Sequence, residues 1–460
     1  MTDTAFSSLE LPTAQLDNLQ QLGYLQMTPI QQQSLPLVLT GKDLIAKAKT
    51  GSGKTAVFAI GMLTKINLRD FAAQGLVLCP TRELSTQVAT EIRRLARYQQ
   101  NIKVVVLCGG QSIGPQIGSL EHGAHIIVGT PGRIKDHLRK KTLLLSRINT
   151  LVLDEADRML DMGFFDDIDN IIQQTPAQRQ TLLFSATYPN KIKTLSSTFQ
   201  RDPVEVSVES LHSSIHIQQC AFICNRENKL DGLIRLLANQ SIASAVIFCN
   251  TIKVVKEVCD YLIAADFSAK ALHGDLEQRD RDQVLLQFSN RSCSLLVATD
   301  VAARGLDIDD LPAVINFDLP RDPDIYIHRI GRTGRAGKEG VALSLFVDSE
   351  KYKLEAISDY QNNTLDFEAI ETLQDTMPFP QQPPMVTLCI SGGRKDKVRP
   401  GDILGALTGE AGIPGQSVGK ITIFDFVAYV AIERGIADEA LKRLENGKIK
   451  GRKFKIRKLR

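Results

Sequence analysis

The sequence predicts an α/β protein with two parallel-sheet domains in tandem, followed by a small α+β domain. Three observations predict it. Short apolar runs alternate with longer stretches of helical periodicity, the pattern of βαβ units around a sheet buried on both faces. That alternation stops near Pro203 and later starts again. Beyond a proline-rich stretch at Pro378 to Pro384 the chain turns basic and the pattern changes to separated strands with one short helix.

In the first domain, residues 1–205, the runs Asp43 to Ala48, Gly75 to Pro80, Val104 to Cys108, His125 to Val128, Thr150 to Leu153 and Thr181 to Phe184 read as strands. A polar stretch then runs to about Gln219. In the second domain, residues 206–376, strands follow at Ala245 to Phe248, Ala269 to Leu272, Leu295 to Ala298, Ala313 to Phe317 and Val341 to Phe346. Residues 377–385 hold Pro378, Pro380, Pro383 and Pro384, which fix φ and remove donors, so they read as a stiff linker. In residues 386–460, Val386 to Ile390, Lys420 to Phe424 and Tyr429 to Ile432 read as strands, and Ala437 to Glu445 as a helix stopped by Gly447. A last strand, Lys453 to Arg457, should bury Phe454 and Ile456 and expose its basic residues.

A length of 460 residues fits three domains at roughly 150 residues each, and 43% hydrophobic residues can supply each with a core. No apolar run is long enough to span a bilayer, and the start lacks a basic and apolar leader pattern, so the expected location is cytoplasmic. The eight cysteines are scattered and complete no zinc-ligand spacing, which predicts reduced thiols and no metal cluster. His122, His125 and His273 likewise read as packing or solvent histidines. The net charge of +3 hides an asymmetry: residues 386–460 carry 16 Lys and Arg against 8 Asp and Glu, whereas the first 385 carry 39 against 44. The C-terminal segment therefore has the electrostatic footprint of a polyanion binder.

The run Ala48-Lys49-Thr50-Gly51-Ser52-Gly53-Lys54-Thr55 follows an apolar strand and opens a helical segment. This is the context of a phosphate-binding loop. Backbone N–H groups around Ser52, Gly53 and Lys54 would face the phosphates of ATP, Lys54 would balance their charge, and Thr55 could ligate Mg²⁺. Downstream, Thr150 to Leu153 ends in Asp154-Glu155-Ala156-Asp157. A carboxylate at a strand end beside a phosphate loop can hold the metal, and its neighbour can position the attacking water, which assigns Asp154 to Mg²⁺ and Glu155 to the water.

Asp154-Glu155-Ala156-Asp157 is the signature of the DEAD-box RNA helicases, and the resemblance extends in order from about Leu22 to Val347. It implies two RecA-like domains. Gly23-Tyr24, Pro29 and Gln31 resemble the adenine-reading Q motif, spanning about residues 4–32, with Tyr24 stacking on the ring and Gln31 on the base edge. Pro80, Thr81 and Arg82, then Gly109 and Gly110, then Thr130, Pro131, Gly132 and Arg133 resemble RNA-contact motifs of the first domain. Ser185-Ala186-Thr187 resembles the motif coupling hydrolysis to strand separation. In the second domain Asn250, Gln278, Arg281, Thr299 and Arg304 resemble RNA contacts, and Gly305 and Asp307 the ribose-binding motif. His328 to Arg335 is similar to the arginine-finger motif, with Arg332 and Arg335 reaching the γ-phosphate. Thr81 and Thr130 would also suit helix caps, and Arg82 and Arg133 surface ion pairs.

The stretches Arg399 to Leu407 and Val418 to Ile432 resemble the C-terminal domain of the bacterial DbpA subfamily, a divergent RNA recognition motif. The resemblance implies a target in 23S ribosomal RNA, action on large-subunit precursor particles, and no obligate protein partner. Where that motif places stacking aromatics, this chain has Cys389, Val427 and Ile432, keeping only Tyr429. RNA is therefore expected on a basic surface of Arg394, Lys395, Lys397, Arg399, Lys453, Lys455 and Arg457. The same motifs would serve an ATP-gated RNA clamp or assembly scaffold without productive unwinding; strand displacement separates the two readings.

Overall fold

The computed structural model describes residues 4–47, 52–185, 190–208, 217–240, 242–303, 311–334, 339–374, 382–409 and 412–459. The chain divides into two compact units, one holding the first domain and the other holding the second domain together with the C-terminal domain.

The first domain is a seven-stranded parallel sheet. Its strands are β1 (Leu44–Lys47), β2 (Gly75–Leu78), β3 (Val104–Leu107), β4 (Ile126–Gly129), β5 (Thr150–Leu153), β6 (Gln180–Ser185) and β7 (Val204–Ser207), in the order β3-β4-β2-β5-β6-β1-β7. Successive residues feed opposite layers: Val77 and Cys79 join one core, Leu76 and Leu78 the other. Both layers are covered by helices, which is why the strands read as unbroken apolar runs. Burying each Leu, Ile or Val contributes about 1.5–3 kcal/mol, so a polar residue at Val77 or Leu78 would forfeit at least that much of the domain's stability.

The six strands expected here all form. β7 was not foreseen, because as an edge strand it alternates buried Val206 with exposed Glu205 and Ser207 and so lacks an apolar run.

The second domain repeats the plan with β8 (Ile217–Ile223), β9 (Ala245–Cys249), β10 (Ala269–Leu272), β11 (Leu295–Thr299), β12 (Ala313–Asn316), β13 (Gly340–Phe346) and β14 (Phe367–Ala369), ordered β10-β11-β9-β12-β13-β8-β14. Its five expected strands form. β8, however, starts inside the stretch read as polar. Gln219 sits in that strand because its side chain has partners: its Oε1 accepts from the Tyr326 hydroxyl at 3.0 Å, and its amide donates to Gln361 at 3.0 Å.

The C-terminal domain is a four-stranded antiparallel sheet of β15 (Met385–Ile390), β16 (Val418–Ile423), β17 (Ala428–Glu433) and β18 (Ile456–Lys458), ordered β16-β17-β15-β18. The helices Pro400–Thr408 and Ala437–Asn446 cover one face, packing on Leu388, Ile390, Val430 and Ile432. Ile432 thus belongs to the helix-side core, which corrects the expectation that it occupies a stacking position; strand alternation from Tyr429 puts it on the opposite face. The last strand is shorter than expected and begins at Ile456, with Ile456 buried, Phe454 half-buried and Lys453, Lys455 and Arg457 exposed.

The sheet's other face carries Cys389, Tyr429, Val427, Phe424 and Leu459, and it packs on Leu286 of the helix Gln278–Ser289 from the second domain. The contact has a polar rim. Thr387 Oγ1 accepts from Asn290 Nδ2 at 3.1 Å and meets the Ser292 hydroxyl at 2.7 Å, and Lys420 Nζ donates to Ser289 Oγ at 3.0 Å. Leu286 and, at the C-cap of this helix, Asn290 lie four residues apart, so one stripe of the helix faces the module.

Candidate functional site

In the first domain the sequence motifs follow the C-terminal ends of strands, where open α/β sheets place their ligands. Strand order sorts them. The phosphate loop, the acidic run and Ser185 follow the adjacent strands β1, β5 and β6, whereas Thr81, Gly109 and Thr130 follow the adjacent strands β2, β3 and β4.

Ala48, Lys49, Thr50 and Gly51 lie outside the described residues, as do Ala186, Thr187, Arg304, Gly305, Asp307 and Arg335. The second half of the phosphate loop is described. Gly53 has φ +95° and caps the helix Lys54–Lys65; a Cβ there would collide with Gln31 Nε2, so both conformation and space require glycine. Lys54 is buried at that helix start, and Thr55 follows it.

Gln31 is buried. Its Oε1 accepts from Thr28 N–H at 2.9 Å and its Nε2 donates to the Gly53 carbonyl at 3.2 Å. Thr28 was not singled out from the sequence, yet its hydroxyl donates to the Ser52 carbonyl at 2.8 Å and so joins the Q segment to the phosphate loop. The Thr-x-x-Gln capping-box pattern was the available signal. Tyr24 donates its hydroxyl to Glu91 at 2.5 Å, with Arg94 over its ring at 5.8 Å and Phe6 edge-on. Burial, reinforced by Glu91, pushes the Tyr24 phenol well above its ordinary range.

Asp154 is buried at the end of β5, and burial raises its pKa to about 6, opposed by Lys54 and reinforced by Glu155. Glu155 occupies the left-handed region (φ 53°) and is held by Arg158, whose Nη1 donates to its carboxylate at 2.7 Å with both side chains buried. Arg158 is a site residue that sequence reasoning missed, although its i+3 spacing from Glu155 on a helix start was the clue.

The residues present fit a nucleotide with a cation. Ser52 Oγ is buried without a hydrogen-bond partner among the described residues. Asp154 is a buried carboxylate that Lys54 compensates only in part.

On the other half of the edge, Arg82 lies against Gly109 and Gly110. Gly110 has φ +66°, and a Cβ there would collide with the Arg82 guanidinium. Thr81 caps its helix by accepting from Leu84 N–H at 3.3 Å. Arg133 donates to the Gln111 carbonyl at 3.0 Å and lies 3.7 Å from Asp136. Thr130 is the N-cap of the helix Pro131–Arg139, with no side-chain cap bond, while Pro131 is buried and Gly132 half-buried. Pro80 is buried behind them. The structure therefore brings Arg82, Gly109, Gly110 and, through Gln111, Arg133 onto one surface.

In the second domain the hub is Arg329, which the sequence analysis quoted within a motif without a role. It is 2% exposed. Its guanidinium grips both oxygens of Asp300 at 2.6 and 2.8 Å and donates to Asn316 Oδ1 at 3.2 Å, the Asp318 carbonyl at 2.6 Å and Asn250 Oδ1 at 2.9 Å. Asn250 is thereby fixed at the end of β9, and its Nδ2 donates to the Leu319 carbonyl at 2.9 Å. Thr299 caps the turn carrying Asp300, accepting from Ala302 N–H at 3.4 Å. Gln278 donates to Asp282 at 2.7 Å and Arg281 to the His273 carbonyl at 3.4 Å. Arg332 is buried after the helix Pro323–Ile330.

In the C-terminal domain, Arg394, Lys395, Lys397, Lys453 and Lys455 share the loop end of the sheet. Arg399 precedes the helix Pro400–Thr408 beside them. Arg457 stands apart: it pairs across from Cys389 on β15, on the face that meets the second domain.

Comparison with known proteins follows the same three parts. Residues 28–195 match the family described as DEAD/DEAH box helicase, residues 228–337 the helicase conserved C-terminal domain, and residues 387–458 the DbpA RNA binding domain. The chain is 51% identical over 458 residues to the ATP-dependent RNA helicase DbpA of Escherichia coli strain K12, covering 99% of this chain and 100% of that protein. It is 42% identical to the DEAD-box ATP-dependent RNA helicase CshA of Bacillus subtilis strain 168, over 82% of this chain and 76% of that protein. Among solved structures, Saccharomyces cerevisiae Dbp5 bound to RNA and ADP BeF3 is similar with a TM-score of 0.73 and 31% identity, covering 80% of this chain and 96% of that chain.

Proposed function

Since the chain belongs to the DEAD-box ATP-dependent RNA helicases and ends in a DbpA RNA binding domain, we propose that it opens short duplexes in 23S ribosomal RNA during assembly of the large ribosomal subunit. The observation that supports this target most is the likeness to Escherichia coli DbpA, which runs through the C-terminal module as well as the helicase domains. Among the described residues no helix is long and apolar enough to cross a membrane.

The residue roles in this reading are those the family resemblance implies, and the described geometry supports several of them. Tyr24 and Gln31 face the adenine, and the loop from Ala48 to Thr55 cradles the phosphates, with Lys54 balancing their charge. Mg²⁺, held by Thr55 and Asp154, neutralises phosphate charge when bound. Glu155, fixed by Arg158, orients the water that attacks the γ-phosphate. Arg332 and Arg335 stabilise charge on the transferred phosphoryl group, and Gly305 and Asp307 hold the ribose.

Ser185, Ala186 and Thr187 couple hydrolysis to strand separation. Thr81, Arg82, Gly109, Gly110, Thr130 and Arg133, with Asn250, Gln278, Arg281, Thr299 and Arg304, hold the RNA backbone. Such contacts position without reading sequence, so the choice of target falls to the C-terminal module.

The test is the rate of ATP hydrolysis against the concentration of 23S fragments and of unrelated RNA at one salt concentration. Cognate fragments should activate at far lower concentration. Equal activation by both would overturn the target, and failure to displace a strand from a duplex beside the cognate fragment would overturn unwinding as its outcome.

A further inference from the structure

The face that an RNA recognition motif offers to bases is occupied here by protein. Tyr429 and Cys389 are buried against Leu286. An RNA reader built this way needs another stacking surface, and the sheet's loop end has one. The β16–β17 hairpin turns through Phe424 to Val427, closed by Phe424 N–H donating to the Val427 carbonyl at 2.8 Å. Phe424 and Val427 pack into the covered face, with Phe424 edge-on to Tyr429, but Phe426 at the tip is 71% exposed. Among the described residues no ring or cation contact is made by Phe426.

The surroundings of Phe426 are cationic and fixed. The Arg394 N–H donates to the Phe424 carbonyl and the Lys395 N–H to the Asp425 carbonyl, each at 2.9 Å, so the turn after β15 is stitched to the hairpin tip. Gly393 makes that approach possible, since a Cβ there would collide with the Phe424 carbonyl. On its other side the same turn meets the final segment: the Ser391 N–H donates to the Lys455 carbonyl at 2.9 Å, and Phe454 lies against Gly392. Arg394, Lys395, Lys397, Lys453 and Lys455 are all exposed along this edge, and Asp425 is paired with Arg394 at 3.0 Å. An exposed aromatic ring on an edge that carries five cations against Asp396 and Asp425 suits a base with its phosphates; a protein partner would more often ask for an apolar patch without that charge.

Resting on the reading of the C-terminal module as an RNA binder, we propose that an unpaired RNA base stacks on Phe426 while Arg394, Lys395, Lys453 and Lys455 hold the flanking phosphates. The module thus binds single-stranded RNA at the loop end of its sheet, not on the sheet's face.

The test uses the full-length protein and a fluorescently labelled 23S fragment with an unpaired loop, beside an unrelated hairpin, in anisotropy titrations over a salt series. Phe426→Ala should weaken cognate binding on the order of tenfold or more, the size of one lost base stack, with the salt slope unchanged. Phe426→Tyr should keep wild-type affinity. Lys453→Gln with Lys455→Gln should weaken binding and flatten the slope, because fewer counterions are released. Wild-type affinity in Phe426→Ala, with cognate preference intact, overturns the stacking site alone. Normal RNA binding in Phe426→Ala accompanied by loss of a bound protein also overturns it. No preference for the cognate fragment in the wild-type protein overturns the module reading beneath it.

Discussion

Replacing Arg329 by Met removes the group on which the active edge of the second domain converges. The Arg329 side chain is 1% exposed and that of Asp300 18% exposed, so the substitution strands a largely buried carboxylate. Breaking a buried ion pair in this way costs about 3–5 kcal/mol. The Asn316 and Asn250 side-chain oxygens and the Asp318 carbonyl lose donors at the same time. These losses overlap, so the same range is the expected total, a large part of the roughly 5–15 kcal/mol that holds a domain.

Native-state hydrogen exchange with peptide resolution is the assay. Peptides covering β11, β12 and the helix Pro323–Ile330 should exchange about 10² to 10⁴ times faster, at 1.36 kcal/mol per tenfold, while first-domain peptides keep their protection. Arg329→Lys should fall between, because an ammonium keeps the charge but cannot span both Asp300 oxygens, Asn250 and the Asp318 carbonyl together. Unchanged exchange in Arg329→Met would refute the reading of this cluster as the domain's keystone.

Other perturbations separate the surfaces. Lys54→Ala should abolish ATP hydrolysis in a turnover assay while the full-length protein still binds the 23S fragment through its C-terminal module. Gly110→Ala puts a methyl into the Arg82 guanidinium at φ +66°, so the RNA concentration needed for half-maximal ATPase activation should rise, with nucleotide affinity in the absence of RNA unchanged. Thr387→Val deprives buried Asn290 Nδ2 of its acceptor and should loosen the docked module by about 1–3 kcal/mol, read as faster exchange in β15 and in the helix Gln278–Ser289.

Much of this architecture was legible because parallel strands buried on both faces leave continuous apolar runs. Strands with an exposed or polar side left none: Glu205 interrupts β7, and Gln218 and Gln219 disguise β8. Within the site, Lys54, Asp154 and Glu155 could be found because their chemistry is set by neighbours a few residues away. Arg329 could not be assigned its part, since its partners Asn250, Asp300, Asn316 and Asp318 come from several strand ends and no local pattern announces their meeting. The covered sheet face was hidden for the same reason. Tyr429 reads as a stacking residue until Leu286, in another domain, is seen to occupy the ground beside it.

The docking of β15 and β17 on the helix Gln278–Ser289 joins the C-terminal module to the second domain as one compact unit. Under the proposed function, RNA held by the module would travel with the domain through each turnover. With Gln278 and Arg281 as the proposed duplex contacts, the span from the held loop to them would then be set by protein, as a ruler is set by its wood. Substrates would be sorted by the spacing between their loop and their duplex, and lengthening that spacing should spoil a substrate even when both of its parts are kept intact.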